Sequence, residues 1–205
     1  KYIAITDHSR AVRIAGGMDE KKLDRHLEEI DKANDKIDGI RILKGVEVDI
    51  LADGKLDLED WILKKCEVVI AAIHFNFNLS RKEMTRRIIR GISNPFVTIF
   101  GHPTGRLILK REPYDFDFEE VFRAAADLGV ALEIDAHPSR LDLNDVHARR
   151  AAEMGVKISI DTDAHSTDQL NLMEYGVFTA RRAWLEKEDV INTYSLKKLL
   201  AFLKR

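Results

Sequence analysis

Six short apolar segments alternate with amphipathic segments along the chain, and this alternation is the feature that most restricts the fold. The apolar segments are rich in Val and Ile on both faces, which is typical of parallel strands covered on both sides. They span residues 1–6, 41–49, 68–74, 96–102, 130–135 and 157–162, and segments with helical periodicity span 18–36, 56–65, 80–92, 117–128, 144–154, 170–184 and 195–204. This order predicts an α/β protein with a parallel sheet, either doubly wound or closed into a barrel.

Composition excludes several classes of protein. The 205 residues carry 33 Lys and Arg against 35 Asp and Glu, a net charge of −2, which excludes a strongly basic nucleic-acid-binding protein but not a local basic groove. A single cysteine, Cys66, excludes a disulfide framework and indicates a reducing, cytoplasmic compartment. No apolar run approaches the roughly 20 residues of a membrane span. The sequence contains neither a G-x-S-x-G nor a G-x-x-x-x-G-K-[ST] motif, and we predict one domain over residues 1–205.

Metal-competent side chains stand at the ends of five predicted strands. They are His8, Glu47, His74, His102, Asp163 and His165. In a barrel the carboxyl ends of all strands lie on one face, where active sites are built. One such histidine alone would more often be a hydrogen-bonded structural residue, but agreement among five strand ends favours a shared site. Imidazoles and carboxylates together suit Zn²⁺, Mn²⁺ or Fe²⁺.

The segment "ISIDTDAHS" (158–166) begins as an alternating strand and places Asp161, Asp163 and His165 on every second residue. Side chains two residues apart on an extended segment point the same way. We therefore predict that Asp163 and His165 share metal ligation, with Asp161 one pleat further back.

Other polar residues have two interpretations. His137 and Arg140 leave the fifth strand at the predicted catalytic face, where they could reach a substrate, although a role in the local turn is equally compatible with His137. Arg106, four residues after His102, is a candidate phosphate contact or else an exposed loop arginine. His26 and His147 lie in charged helices, where we expect them to be solvated.

Several of these segments in combination resemble the PHP (polymerase and histidinol phosphatase) family across essentially the whole chain. They are "ITDHS", "GVEVD", "AAIHF", "FGHPTGR", "EIDAHPSRLDL" and "DTDAHS". The closest resemblance is to the PHP domain at the C-terminus of bacterial and archaeal family X DNA polymerases. It implies a distorted, TIM-like (β/α)7 barrel that holds two to three Mn²⁺ or Zn²⁺ ions. The family's metal ligands match His8, Glu47, His74, His102, Asp163 and His165.

The sequence departs from the family pattern in two places. The family opens with an H-x-H motif on a first strand, whereas no two histidines here are two residues apart, and Lys1 already opens a strand-like segment. We therefore expect the chain to begin after that motif, so that the barrel lacks its first strand and the metal site lacks three ligands. The chain alone is then expected to fall short of full activity. His137 stands where a smaller polar residue such as asparagine is expected.

The resemblance implies a metal-dependent phosphoesterase acting on DNA 3′ ends, single-stranded or gapped, as the 3′–5′ exonuclease or end-processing module of a family X polymerase in DNA repair. The resemblance also implies an attached N-terminal polymerase domain and no association with a membrane. We take Asp163, His165 and His8 as catalytic, and Arg106, Arg140 and His137 as substrate-binding. The alternatives are a histidinol-phosphatase-like enzyme for a small phosphomonoester, which needs a closed pocket rather than an open cationic groove, and a non-catalytic structural module. The intact ligand set argues against the last.

Overall fold

In a computed structural model, which describes residues 1–204, six parallel strands form one curled sheet. The strands are β1 (Tyr2–Ile5), β2 (Arg41–Asp49), β3 (Val68–Ala72), β4 (Ile99–Phe100), β5 (Ala131–Asp135) and β6 (Ile158–Asp161). Each strand pairs with the next strand in the chain, so the order never reverses as it would in a doubly wound sheet. Within residues 1–204 the sheet is therefore an open half-barrel, with β1 and β6 at its two edges.

Seven α-helices of the described residues, 1–204, connect and cover the strands. They are α1 (Glu20–Asn34), α2 (Asp60–Leu63), α3 (Arg81–Ile92), α4 (Phe118–Leu128), α5 (Asp145–Glu153), α6 (Met173–Arg182) and α7 (Leu196–Leu203). Their starts follow the sequence: Ser80 and Glu83 form a capping box at α3, and the Asn144 side chain accepts a hydrogen bond from the His147 N–H at α5. Gly129 ends α4 in the left-handed conformation, at φ +65°.

The helix predicted over residues 56–65 is reduced to the single turn of α2. The cause is Asp57, whose carboxylate accepts hydrogen bonds from the backbone N–H groups of Ala11 and Asp49 and so belongs to the β2 loop rather than to a helix. The helix predicted over 170–184 likewise begins as a 3₁₀ turn, Thr167–Leu172, before α6. The strand predicted over 96–102 is paired only at Ile99–Phe100.

The main apolar core lies between the outer face of the sheet and the helices. It joins strand residues such as Val48, Val69 and Phe100 to helix residues such as Leu23 and Ile88, all fully buried or nearly so. Each side chain of this size contributes about 1.5–3 kcal/mol on burial. This core fixes which face of each strand is turned inward.

The inward faces change from apolar to ionisable along each strand. At the amino ends the inward residues are Tyr2, Ala4, Leu43, Val68, Ile70, Ile99 and Ala131, which pack against α7. At the carboxyl ends they are His8, Glu47, Glu133 and Asp161, which line the same cavity of about 820 Å³. Because side chains on one face recur every second residue, the period of the strands places the polar groups together at one end. Helix α7 fills the other end through Leu199 and Leu203.

Within the described residues, no helix combines the length and the apolar character that crossing a membrane requires.

Candidate metal centre

Glu47 lies at the centre of the polar end of the half-barrel. Its side chain is inward-facing on β2 and the residue is only 7% exposed. One carboxylate oxygen, Oε2, lies 3.0 Å from His8 Nδ1, and the other, Oε1, lies 3.0 Å from His102 Nε2 and 3.4 Å from His74 Nε2. Imidazoles from three different strand ends therefore converge on one carboxylate.

The donor atoms in this cluster fit a metal ion. Ligand atoms of His8, Glu47 and His74 all lie within 4.8 Å of one another. The Nε2 atoms of His74 and His102 are 3.2 Å apart, a separation at which two imidazole lone pairs need a proton or a cation between them. His74 Nδ1 lies 3.2 Å from Asp49 Oδ2, and a proton on that nitrogen leaves Nε2 as the free ligand atom. This carboxylate–histidine pair is the arrangement that commonly orients a ligating imidazole.

His102 reaches the cluster through an unusual backbone conformation. The alternation of β4 turns Phe100 toward the helices and would turn His102 the same way, but the φ of His102 is +26°. A left-handed conformation at a residue other than glycine costs of order 1–3 kcal/mol and concentrates at functional sites. The His102 N–H donates a short hydrogen bond to the Glu133 carboxylate, which holds this conformation.

Asp163 and His165 also reach the site, but not by strand alternation. Strand β6 ends at Asp161, and Asp163 has φ +45°, so the extended segment assumed from the sequence ends before either residue. His165 Nδ1 lies 2.8 Å from the Asp163 carbonyl oxygen and 3.8 Å from its Oδ1. The His165 ring lies 5.6 Å from the His8 ring, and its side chain is 56% exposed. All six residues predicted as ligands thus gather at one end, and their role as ligands stays a prediction.

Two buried carboxylates behind the cluster, Glu133 and Asp135, were missed in the sequence, whereas Asp161 was placed there. Burial, with the nearby Asp163 and Asp161 carboxylates, raises the pKa of Asp135 to about 8. Burial also raises the pKa of Asp161 to about 7 and that of Glu133 well above its usual range. The signal was present in "LEID", where Glu133 and Asp135 occupy alternate positions of an otherwise apolar strand.

Histidine protonation in the cluster follows its carboxylates. Burial opposes a charge on His74, but hydrogen bonds to Asp49 and Glu47 outweigh it and raise the pKa of His74 to about 9. Burial also opposes ionisation of Glu47, yet hydrogen bonds from His102, His74 and His8 hold the pKa of its carboxyl well below the usual range. In metal-free protein, a protonated His74 therefore pairs with an ionised Glu47.

We expect the thermal stability of chelator-treated protein to fall as the pH rises from 5.5 to 8.5. The folded-state pKa values of Asp135, Asp161 and His74 lie above their unfolded values, so the folded chain binds more protons in this range and loses that stabilisation as they dissociate. The loss should lower Tm by about 5–10 °C, measured by calorimetry at constant ionic strength. A Tm that rises over this interval would contradict the assignment of these protons. Saturating Mn²⁺ or Zn²⁺ should weaken or reverse the trend, since ligands bind metal deprotonated.

The three predicted substrate-binding residues have different surroundings. Arg140 lies at the centre, its Nε 3.1 Å from Asp135 Oδ2 and 3.7 Å from Asp163 Oδ2. Arg106 instead donates from Nε to the carbonyl of Arg140 at 2.7 Å and from Nη2 to the carbonyl of Leu141, so its guanidinium supports the β5 loop. His137 is part of the same turn: its Nδ1 contacts Ser139 Oγ at 2.8 Å, and its N–H donates to Asp135.

The expectation that His26 and His147 are solvated is wrong. His26 is half-buried on α1, and its Nε2 lies 3.0 Å from Asp7 Oδ2. His147 stacks on Phe118 with ring centroids 4.0 Å apart, and burial lowers its pKa. Both residues lie on the boundary between the polar and apolar helix faces, which charged neighbours in sequence do not reveal.

No family model matches the sequence, but searches against individual proteins identify relatives of this chain. The chain is 43% identical over 205 residues to the DNA polymerase/3′-5′ exonuclease PolX of Bacillus subtilis; the match covers the whole chain and 36% of that relative. It is 36% identical over 180 residues to a probable phosphatase of Thermoanaerobacter, covering 83% of this chain and 71% of that relative.

The fold has a solved counterpart. The histidinol phosphate phosphatase of Lactococcus lactis, crystallised with zinc, L-histidinol and phosphate, superposes with a TM-score of 0.60 at 17% identity, over 91% of this chain and 83% of that one. The likeness confirms the predicted α/β fold of the PHP type. The Thermoanaerobacter relative is matched over more than two thirds of its length, and its description as a probable phosphatase agrees with a phosphate-ester chemistry. The chain therefore belongs to the PHP family of phosphoesterases.

Proposed function

We propose that the chain is the metal-dependent phosphoesterase module of a DNA end-processing enzyme, which removes nucleotides from 3′ ends during DNA repair. The observation that carries the proposal is the convergence of His8, His74 and His102 on the two oxygens of Glu47. The 43% identity to a Bacillus polymerase that is also a 3′-5′ exonuclease supports DNA as the substrate. The chain spans 36% of that relative's length, and we propose that an N-terminal polymerase domain accompanies it in the full protein.

Mn²⁺ or Zn²⁺ would be held by six residues of the centre. They are His8, Glu47, His74, His102, Asp163 and His165. The zinc in the Lactococcus structure supports this choice of metal class. Such a centre supplies Lewis-acid polarisation of a phosphoryl oxygen and a water of lowered pKa.

Arg140 is the residue that we assign to the substrate phosphate. Its Nε is engaged by Asp135, but its buried Nη1 has no hydrogen-bond partner among the described residues. A guanidinium beside the metal-ligating Asp163 is suited to a phosphate oxygen. We do not carry Arg106 and His137 into the proposed phosphate contacts, because their polar atoms stabilise the β5 loop.

The surface beyond the centre supports a polyanionic substrate. The loop after His74 leads into α3, on which Arg81, Lys82, Arg86 and Arg90 line a cleft of about 590 Å³ against α4. Asp117 and Glu120 line the same cleft, and Asp117 pairs with Arg81 at 3.1 Å, so the cations outnumber the carboxylates four to two. A row of cations along one helix can contact successive phosphates of a DNA strand, whereas a small phosphomonoester is too short to contact the whole row.

A small phosphomonoester is the second candidate substrate, because the Thermoanaerobacter relative is a probable phosphatase and the Lactococcus enzyme was crystallised with L-histidinol and phosphate. A structural module without activity is disfavoured by the complete cluster around Glu47, since loss of catalysis removes the constraint that keeps such ligands together.

Hydrolysis of labelled DNA tests the proposal. The full protein, with the N-terminal segment that the family resemblance predicts before Lys1, is incubated with Mn²⁺ and with a 5′-labelled single strand or a gapped duplex, and the products are separated on a denaturing gel. We expect stepwise shortening from the 3′ end that stops when the metal is chelated. Rapid hydrolysis of histidinol phosphate with no shortening of either DNA would instead favour the second candidate.

A further inference from the structure

We infer that Phe75 is a stacking platform for the base of the 3′-terminal nucleotide, an inference that rests on the proposed function. The platform would make the enzyme sensitive to the presence of a base at the cleaved end, beyond its recognition of phosphate. It adds an aromatic subsite beside the cluster of histidines around Glu47.

The position of Phe75 is the first support. The residue directly follows His74, and the two rings lie 6.5 Å apart at an interplanar angle of 60°. Phe75 is 47% exposed, so about half of a large apolar residue faces solvent next to the catalytic centre. A nucleotide whose phosphate is bound beside His74 could bring its base against the adjacent Phe75 ring, and every base offers a flat face for stacking.

The backbone beneath Phe75 is held from inside the protein. Arg87 is only 3% exposed, and its Nη1 donates to the carbonyl oxygens of Phe75 at 3.0 Å and Asn76 at 3.1 Å. Its Nε donates to the carbonyl of Leu51 at 2.9 Å, which ties this loop to the β2 loop. Asn76 is in the left-handed conformation, φ +57°, and turns the chain back toward α3. The ring is thus presented on a fixed support, which lowers the entropic cost of binding a flat ligand.

The neighbouring Phe77, in the same loop, already has protein side chains packed against its ring. It stacks on Tyr114 with centroids 6.0 Å apart, and the Arg111 guanidinium lies 4.2 Å from its centroid. The Phe77 ring is therefore already in contact with two protein side chains and is half-buried, whereas Phe75 is 47% exposed. Of these two phenylalanines in the loop, Phe75 is the one that can offer a ring to a substrate.

Terminal-base dependence tests the platform. The substrates are two single-stranded oligonucleotides that differ only in the 3′-terminal residue, thymidine in one and an abasic residue in the other. We expect wild-type protein with Mn²⁺ to remove the thymidine about 10-fold faster or more, in kcat/KM. Phe75→Ala should bring this ratio close to one, and Phe75→Tyr should restore it. Phe178→Ala is the matched control, because Phe178 is 52% exposed on α6, and it should keep the wild-type ratio.

A second readout does not depend on hydrolysis. With 2-aminopurine at the 3′ end, stacking on Phe75 should quench the fluorescence on binding, and Phe75→Ala should lose that quench while Phe75→Tyr keeps it. Equal rates on the two oligonucleotides in wild-type protein, or an unchanged ratio in Phe75→Ala, would overturn the platform alone. Full-length wild-type protein, with the N-terminal segment in place, that leaves both oligonucleotides intact would overturn the proposed function, and the platform with it.

Discussion

Glu47→Gln is expected to abolish metal binding at the centre and to lower phosphoester hydrolysis by on the order of 10³-fold or more. Glutamine keeps the volume of the side chain but removes the negative charge and one of the two acceptor oxygens that His8, His74 and His102 now share. Bound metal per chain, measured by atomic emission after gel filtration, should fall together with the rate.

The same change should also reduce stability, because it leaves buried imidazolium groups without their partner. Removing one member of a buried charge pair costs about 3–5 kcal/mol, so Tm is measured alongside activity. Glu59→Gln is the matched control: Glu59 is exposed before α2, and its loss should alter neither metal content nor Tm. Glu47→Gln protein that folds, retains its metal and hydrolyses substrate at normal rates would refute the assignment of Glu47 as the central ligand.

Asp163→Asn should also strip metal and abolish hydrolysis, but it should leave the fold intact. Asparagine tolerates the left-handed backbone at this position, φ +45°, as well as aspartate does. The Asp163 carboxylate contributes to the raised pKa values of Asp135 and Asp161, so its removal relieves repulsion in the metal-free protein. We therefore expect an unchanged or higher Tm for the metal-free variant, in contrast to Glu47→Gln.

Asp161→Asn is the control for Asp163→Asn, with the same chemical change two residues earlier. Asp161 is hydrogen-bonded to Glu133 and Ser159 rather than placed beside His165, so its replacement should reduce the rate less. Near-normal rates for Asp163→Asn with an inactive Asp161→Asn would show that the assignment of the two carboxylates is reversed.

The fold was predictable because its determinants are local and repeated. Inward residues on β2 recur with period two from Leu43 to Glu47, and the same change from apolar to ionisable along β3 to His74 is visible in the sequence. Parallel strands then bring these ends to one face without any information on tertiary contacts. Alternation alone fits a barrel and a doubly wound sheet equally well, so the prediction of a barrel rested on the family resemblance, and the order of the strands confirms it.

The details of the centre were less predictable because backbone conformations override the alternation. Strand periodicity would direct His102 toward the helices, and only its positive φ turns the side chain inward. The donors of Arg106 bind carbonyl oxygens of the β5 loop, a tertiary contact that no local pattern encodes. Arg87 is a similar case, since its cation is buried under the loop that carries Phe75.

Anomalous diffraction from crystals grown with Mn²⁺, or with Zn²⁺, tests the central claim most directly. The account predicts at least one strong peak within about 2.0–2.2 Å of a Glu47 carboxylate oxygen and of a nitrogen of His74 or His102. A second peak is expected toward His8, Asp163 and His165. Protein that hydrolyses phosphate esters while its crystals show no anomalous peak at Glu47, or show peaks only at sites remote from it, would contradict the account.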